Sequence, residues 1–202
     1  FLRPKDPFTW ASGIHSPVYC DNRLTLSFPK VRRQIEEGLA ELVKEEFPEA
    51  EALFGTSTAG IAHAAITAEI LGLPMGYVRG SAKDHGRQNQ VEGKLSKGDK
   101  VVVVEDLIST GGSVLDCVKV LQENGAEVLG IVSIFTYGMQ KGKDRLAEAK
   151  VVNHSLCDLD ALLPVAVEQG YIEKEEQEKL LRFRDKPSDE SWSCLLYTSP
   201  SP

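Results

Sequence analysis

Apolar residues recur every three or four positions along several stretches of the chain, and this spacing predicts amphipathic helices. In residues 31–47, Val31, Ile35 and Leu39 lie on one helical face with charged residues between them, and Pro48 ends the pattern. Gly72 suits the C-terminal cap of a second helix. The other predicted helices cover residues 61–72, 114–121, 143–149, 160–172 and 173–185.

Short apolar runs between these helices predict β-strands. The most distinct covers residues 101–107, where four consecutive valines suit a strand that is buried on both faces. Because strands alternate with helices, we expect an α/β protein with a central, mostly parallel sheet flanked by helices. In such sheets, ligands bind at the carboxyl ends of the strands. The other predicted strands begin at Ala52 and cover residues 74–80, 126–137 and 151–159.

Three segments fall outside this alternation. Residues 8–27 mix β-forming and turn residues, which predicts a hairpin-like lobe. Residues 81–100 are polar and rich in Gly and Lys, which predicts a long loop or a solvated hairpin. Residues 191–202 lack periodicity and are predicted to be a non-native extension or a disordered tail. We therefore expect one domain over residues 1–190, with a truncated N-terminus because the chain does not begin with Met.

The composition narrows the class of protein. A formal net charge of -7 argues against binding to nucleic acids or membrane surfaces, because such proteins usually carry a basic face. No apolar run approaches the ~18 residues of a membrane span. The four cysteines form no CxxC pair, so we predict neither a zinc site nor a disulfide scaffold, and we expect a reducing compartment.

The stretch VVVVEDLISTGGS, residues 101–113, places two carboxylates at the end of the predicted central strand. The small residues of the following loop let a ligand approach the backbone, and free amides at the next helix start suit a phosphate group. Neither a Walker loop nor GxGxxG occurs. Carboxylates would repel a bare phosphate, but they accept hydrogen bonds from vicinal sugar hydroxyls. The stretch therefore predicts a ribose 5-phosphate site, with Glu105 and Asp106 on the sugar.

This stretch resembles the phosphoribosyl-pyrophosphate (PRPP) signature of the type I phosphoribosyltransferases, a hydrophobic strand followed by two acids and a loop rich in Thr and Gly. The resemblance implies that family's fold, with a small N-terminal hood formed by residues 1–27 and C-terminal elements. FGTSTAG, residues 54–60, is similar to the family's pyrophosphate loop. The resemblance implies that PRPP contacts Glu105, Asp106, Leu107, Ile108, Ser109, Thr110, Gly111, Gly112 and Ser113.

Two further stretches choose among the bases that this family uses. SGIHSPVYCDNR, residues 12–23, resembles the SGxxSPxYxDxR segment of the orotate phosphoribosyltransferases, which forms part of the base-binding hood. Residues 77–95 resemble the mobile catalytic loop of the same enzymes, whose R-x-x-x-K-x-H pattern falls on Arg79, Lys83 and His85. The resemblance implies transfer of a phosphoribosyl group from PRPP to orotate in pyrimidine synthesis.

The resemblance also implies the role of each residue. Lys83 would be the main catalytic residue and stabilise the departing pyrophosphate, His85 would hydrogen-bond the same group, and Arg79 would bind PRPP. Because the family's loop reaches into the neighbouring subunit, a homodimer with shared active sites is implied. We expect a cytoplasmic location, in keeping with the reducing compartment. Mg²⁺ would enter with PRPP, without a dedicated metal site on the protein. The residues that align with the family's orotate contacts are Ser109, Tyr19 and Cys20.

Three alternatives stay open. The loop over residues 81–100 could be a solvated basic loop without a catalytic role. The base could be a purine or xanthine, although residues 12–23 argue against that. The chain could also be a PRPP-sensing regulator, which would not need Lys83 or His85 and would usually carry a basic face for nucleic acid.

Overall fold

The computed structural model describes residues 1–10, 13–80, 90–189 and 192. The helices cover the predicted positions with ends that shift by a few residues. In chain order the strands are β1 (Phe8–Thr9), β2 (His15–Ser16), β3 (Ala52–Thr56), β4 (Met75–Val78), β5 (Val91–Glu92), β6 (Lys100–Ile108), β7 (Glu127–Thr136) and β8 (Asn153–Asp158). The helices are α1 (Pro29–Glu46), α2 (Ala59–Leu71), α3 (Gly112–Glu123), α4 (Gln140–Glu148), α5 (Leu159–Glu168) and α6 (Lys174–Asp185).

Six of these strands form one sheet in the order β5-β4-β3-β6-β7-β8. Neighbouring strands run parallel, except that the edge strand β5 is antiparallel to β4. The predicted α/β fold with a mostly parallel sheet flanked by helices is therefore confirmed. β5 lies within residues 81–100, for which the sequence predicts a long loop or a solvated hairpin. In the described part of this segment, β5 pairs with β4 as a short hairpin arm.

The four valines of β6 pack on both faces of the sheet, which explains their uninterrupted run. Val101 and Val103 belong to a core with α3, whereas Val102 and Val104 belong to a core with α1 and α2. All four are fully buried. Because successive side chains of a strand point to opposite faces, a strand between two helical layers must be apolar at every position. Glu105 and Asp106 follow the valines within this same strand.

Helix α2 ends as its sequence predicts. Gly72 caps it in the left-handed region at φ 67°, which glycine adopts without strain. None of the helices in the described part of the chain is long and apolar enough to cross a bilayer.

The N-terminal lobe is only partly the hairpin that its sequence predicts. β1 and β2 form a two-stranded antiparallel sheet, but residues 22–27 form a 3-10 helix instead of extending it. In this helix the hydroxyl of Thr25 donates to the carbonyl of Asn22 at 2.5 Å, a local bond that competes with strand pairing. This helix contacts the main sheet through Asn22, whose side chain bonds to the backbone of Asp106.

The lobe shares a hydrophobic core with the C-terminal helices. The Trp10 ring packs on the rings of Tyr137 and Phe183, with centroids 5.7 and 5.6 Å apart. Trp192, within residues 191–202 that are predicted to be a non-native extension or a disordered tail, is also buried. Its ring lies edge-on to Phe183, with centroids 5.7 Å apart. This segment therefore contributes one side chain to the core. The other residues of the tail lie outside the described part of the chain.

Candidate active site

A cleft of about 370 Å³ opens at the carboxyl edge of the sheet, where β3 and β4 end and α3 begins. This is the edge at which α/β sheets bind ligands. The predicted pyrophosphate loop, the predicted PRPP-binding arginine and the end of the predicted phosphate loop all line it. The lining includes Thr56, Ser57, Arg79, Gly80, Gln90 and Ser113.

The predicted phosphate loop covers residues 108–113, of which residues 109–111 lie between β6 and α3 in the structure. Gly111 adopts φ 74°, and no side chain caps the first turn of α3. The amides at this helix start therefore stay available for an anion, which the helix dipole also favours. Leu107 and Ile108 lie in β6, and the carbonyl of Ile108 accepts the amide of Tyr137 at 3.1 Å. Their predicted contacts with PRPP remain a prediction.

Glu105 is buried beside the neighbouring strand. Its Oε1 accepts hydrogen bonds from the Thr56 hydroxyl at 2.7 Å and from the Asp106 amide at 2.9 Å. Burial raises the pKa of this carboxyl to about 8, and the adjacent Asp106 carboxyl also raises it. Glu105 therefore carries a proton over much of the range near neutral pH.

This raised pKa predicts how stability depends on pH. The folded pKa of about 8 exceeds the ordinary value of 4.5, so between these values the folded chain binds more protons than the unfolded chain. Stability should therefore fall as pH rises through this window. We expect the free energy of unfolding of wild type, relative to Glu105→Gln, to fall by as much as roughly 1.4 kcal/mol per pH unit.

Urea unfolding of both proteins at several pH values between 5 and 8.5 measures this difference. The control is Glu69→Gln, which removes an exposed carboxylate from α2 and should leave the pH dependence of wild type unchanged. The free energy of unfolding of wild type minus that of Glu105→Gln should fall with pH. If it stays constant or rises with pH, Glu105 titrates normally.

Asp106 is half-buried, and hydrogen bonds hold its backbone at both the amide and the carbonyl. Its amide donates to Glu105, and its carbonyl accepts a hydrogen bond from the side-chain amide of Asn22 at 2.7 Å. Asn22 is itself buried, in the 3-10 helix of the lobe. The lobe is therefore tied to the predicted ribose acids. The sequence motif offered no signal for Asn22, because it occupies an unspecified position of SGxxSPxYxDxR.

The predicted pyrophosphate loop packs directly on the central strand. A Cβ on Gly60 would lie 2.4 Å from the carbonyl of Val104 and 2.5 Å from the hydroxyl of Thr56. Only glycine fits there, so the start of α2 lies against β6 just before Glu105. No side chain caps this helix start either. Two uncapped helix starts thus meet the cleft, which suits a ligand with phosphates at both ends.

The predicted cations of the site are only partly described. The Arg79 guanidinium donates to Glu92 at 3.1 Å, with both side chains nearly half exposed. An ion pair this exposed contributes little, so Arg79 can turn to a phosphate ligand at small cost. The predicted catalytic residues Lys83 and His85 lie outside the described residues, and their roles remain predictions.

The predicted orotate contacts lie at the junction of lobe and sheet. Tyr19 is partly exposed and packs on Phe8 with ring centroids 5.5 Å apart. The amide of Cys20 donates to the hydroxyl of Tyr137 at 3.1 Å, and its thiol donates to Asn22 at 3.3 Å. Burial raises the pKa of the Cys20 thiol to about 11, so it stays neutral. Cys20 thus supports the junction, and its contact with orotate remains a prediction.

The described side chains near the cleft that could bind a metal ion are few. Among the described residues, no group of three or more His, Cys, Asp or Glu side chains is arranged to hold a metal ion. Asp116 lines the cleft, and Glu105, already engaged by two donors, contacts the lining residue Thr56. These residues fit an ion that brings most of its oxygen ligands with the substrate.

Comparison with known proteins gives the site a context. The profile of the Phosphoribosyl transferase domain family matches residues 27–161. Orotate phosphoribosyltransferase of Bacillus cytotoxicus is 60% identical over 192 residues, which are 95% of this chain and 91% of that protein.

Solved structures agree on the fold. The crystal structure of orotate phosphoribosyltransferase from Aeropyrum pernix is 32% identical, with a TM-score of 0.72 over 83% of this chain and 92% of that one. Adenine phosphoribosyltransferase from Leishmania tarentolae is 22% identical, with a TM-score of 0.59 over 72% of this chain and 79% of that one. Proteins named for different bases thus share this fold, so the fold alone does not identify the base. The segment that bears on the base is the N-terminal lobe.

Proposed function

The chain belongs to the orotate phosphoribosyltransferases, and on that premise we propose that it transfers the 5-phosphoribosyl group of PRPP to orotate. The products are orotidine 5′-phosphate and pyrophosphate, in de novo pyrimidine synthesis. The observation that carries this function is the bond from Asn22 to the Asp106 carbonyl, because it joins the segment that resembles the base-binding hood to the acids predicted for the ribose.

The reaction needs charge stabilisation more than a nucleophile on the protein. A ring nitrogen of orotate loses its proton to solvent and forms a bond to C1 of the ribose, and the bond from C1 to the pyrophosphate oxygen breaks with its electron pair. Negative charge therefore grows on pyrophosphate as positive charge grows on the sugar. We propose that Lys83 stabilises the leaving group, that His85 hydrogen-bonds it, and that Arg79 binds PRPP.

The phosphate loop and the two acids would bind different parts of the sugar phosphate. We propose that the amides of residues 109–113 hold the 5-phosphate, while Glu105 and Asp106 accept hydrogen bonds from the ribose hydroxyls. Orotate would lie toward Ser109, Tyr19 and Cys20, below the lobe. The half-buried position of Asp106, with its backbone fixed by Asn22, supports this arrangement.

We propose Mg²⁺ as the metal that accompanies PRPP, bound mainly by the oxygens of the substrate. It would supply positive charge at the pyrophosphate oxygens. The protein would contribute by holding the ribose and the 5-phosphate in place around that complex.

We also propose a homodimer in which Lys83 and His85 of one subunit reach the site of the other. A cytoplasmic location fits the free thiols of Cys20, Cys117 and Cys157.

A comparison of bases tests the function. The protein, with PRPP and Mg²⁺, is offered orotate, adenine, hypoxanthine or xanthine, and the absorbance of each base is followed. We expect consumption of orotate alone. Consumption of a purine with orotate untouched would assign the chain to the purine enzymes. Binding of PRPP without turnover of any base would make it a PRPP-sensing regulator.

A further inference from the structure

Helix α4 lies against the phosphate loop through direct backbone contact. A Cβ on Gly142 would lie 2.6 Å from the carbonyl oxygen of Ser109. A Cβ on Gly111 would in turn lie 3.7 Å from the carbonyl of Gly142. The absence of a side chain at Gly142 therefore allows helix and loop to touch. No residue of α4 belongs to the signature that identified the site.

Arg145 follows Gly142 by one helical turn and donates from Nη1 to the carbonyl of Thr110 at 3.1 Å. The same nitrogen lies 3.2 Å from the position that a Cβ on Gly112 would occupy, beside the first turn of α3. Arg145 is half-buried, and no carboxylate of the described residues lies within ion-pair distance of it. Its positive charge is thus not neutralised by a described acid.

Two physical consequences follow from this position. The bond keeps the Thr110 carbonyl occupied, so that this acceptor does not turn toward an anion held by the neighbouring amides. The guanidinium also adds positive charge beside a helix start, where an anion is already favoured. Hydrogen bonds from a charged donor are stronger than those between neutral groups, so the loop is held firmly.

We propose that Arg145 is a positioning residue for substrate binding, which fixes the phosphate loop in the conformation that accepts the 5-phosphate of PRPP. The inference rests on the proposed function, which gives the loop its ligand. Arg145 acts through the Thr110 peptide and through its charge. Its loss should therefore weaken the binding of PRPP and leave the chemical step and the binding of orotate nearly unchanged.

The test compares Arg145→Ala and Arg145→Lys with Lys143→Ala, which removes one exposed positive charge from the same helix. We expect Arg145→Ala to raise the KM for PRPP roughly tenfold, with kcat within about twofold. Arg145→Lys should raise it less, and Lys143→Ala should match wild type. Added guanidinium ion should partly restore the KM of Arg145→Ala, which a merely structural defect would not allow.

The outcomes separate this inference from the proposed function. If wild type turns over orotate and Arg145→Ala keeps its KM for PRPP, the inference is wrong and the function stands. If wild type is inactive, the function fails, and calorimetry with ribose 5-phosphate still decides whether Arg145→Ala binds more weakly than Lys143→Ala. If Arg145→Ala does not fold, the KM for PRPP of Arg145→Lys is compared with that of Lys143→Ala. Equal values would overturn the inference.

Discussion

Lys83→Ala should lower the turnover of orotate by roughly 10²- to 10³-fold, the cost of removing one donor that acts on charge developing in a transition state. The affinity for PRPP should stay within about threefold, because Lys83 is proposed to meet the pyrophosphate as its bond to C1 breaks and its charge grows. Single-turnover rates with saturating PRPP and orotate measure the chemical step, and calorimetry with PRPP measures binding.

The matched control is Lys94→Ala, which removes an exposed lysine just beyond β5. It should resemble wild type in both measurements. If Lys83→Ala keeps turnover, the catalytic role of Lys83 is wrong. If affinity for PRPP falls as steeply as turnover, Lys83 binds the ground state and does not act selectively in the transition state.

Asp106→Asn should lower kcat/KM for PRPP by roughly 10²-fold, because the proposed hydrogen bonds from the ribose to a charged acceptor are lost or weakened. The change keeps the size of the side chain, and the Asp106 backbone should stay held by Asn22 and Glu105. Glu127→Gln is the control, since this exposed acid begins β7 at the opposite edge of the sheet. Equal kcat/KM for Asp106→Asn and wild type would remove the aspartate from the ribose site.

These two variants together test whether the sites are shared between subunits. In a mixed dimer of Lys83→Ala and Asp106→Asn, a shared arrangement leaves one site with both native residues. Random mixing of inactive variants should then restore about a quarter of wild-type activity, because half of the dimers are mixed and each has one intact site. No recovery after dissociation and remixing would mean that Lys83 acts in its own subunit.

The parts of the fold that follow from local pattern were predictable. The helices came from apolar spacing, and the central strand came from four valines that fill the cores on both of its faces. The position of Glu105 and Asp106 toward the carboxyl end of the central strand followed from the sequence pattern. Local sequence was sufficient here because each element buries its own continuous apolar surface.

Contacts between distant segments were not predictable. The bond from Asn22 to Asp106 joins residues 84 positions apart, and Arg145 reaches Thr110 across 35 positions. Nothing within any one of these segments indicates that Asn22 meets Asp106 or that Arg145 meets Thr110. The 3-10 helix at residues 22–27 and the burial of Trp192 likewise depend on what the rest of the chain places beside them.

The burial of Glu105 was also invisible in the sequence. Two adjacent acids look equivalent there, but the Thr56 hydroxyl draws only Glu105 into the protein. This burial raises the pKa of the Glu105 carboxyl.

The most direct test of the function is to identify the products when the protein is incubated with PRPP, orotate and Mg²⁺. Phosphorus NMR follows the three phosphates of PRPP during the reaction. We predict that PRPP is converted into equal amounts of orotidine 5′-phosphate and pyrophosphate, and that PRPP stays intact when orotate is omitted. PRPP that stays unchanged with orotate present, or that releases pyrophosphate without forming the nucleotide, would contradict the account.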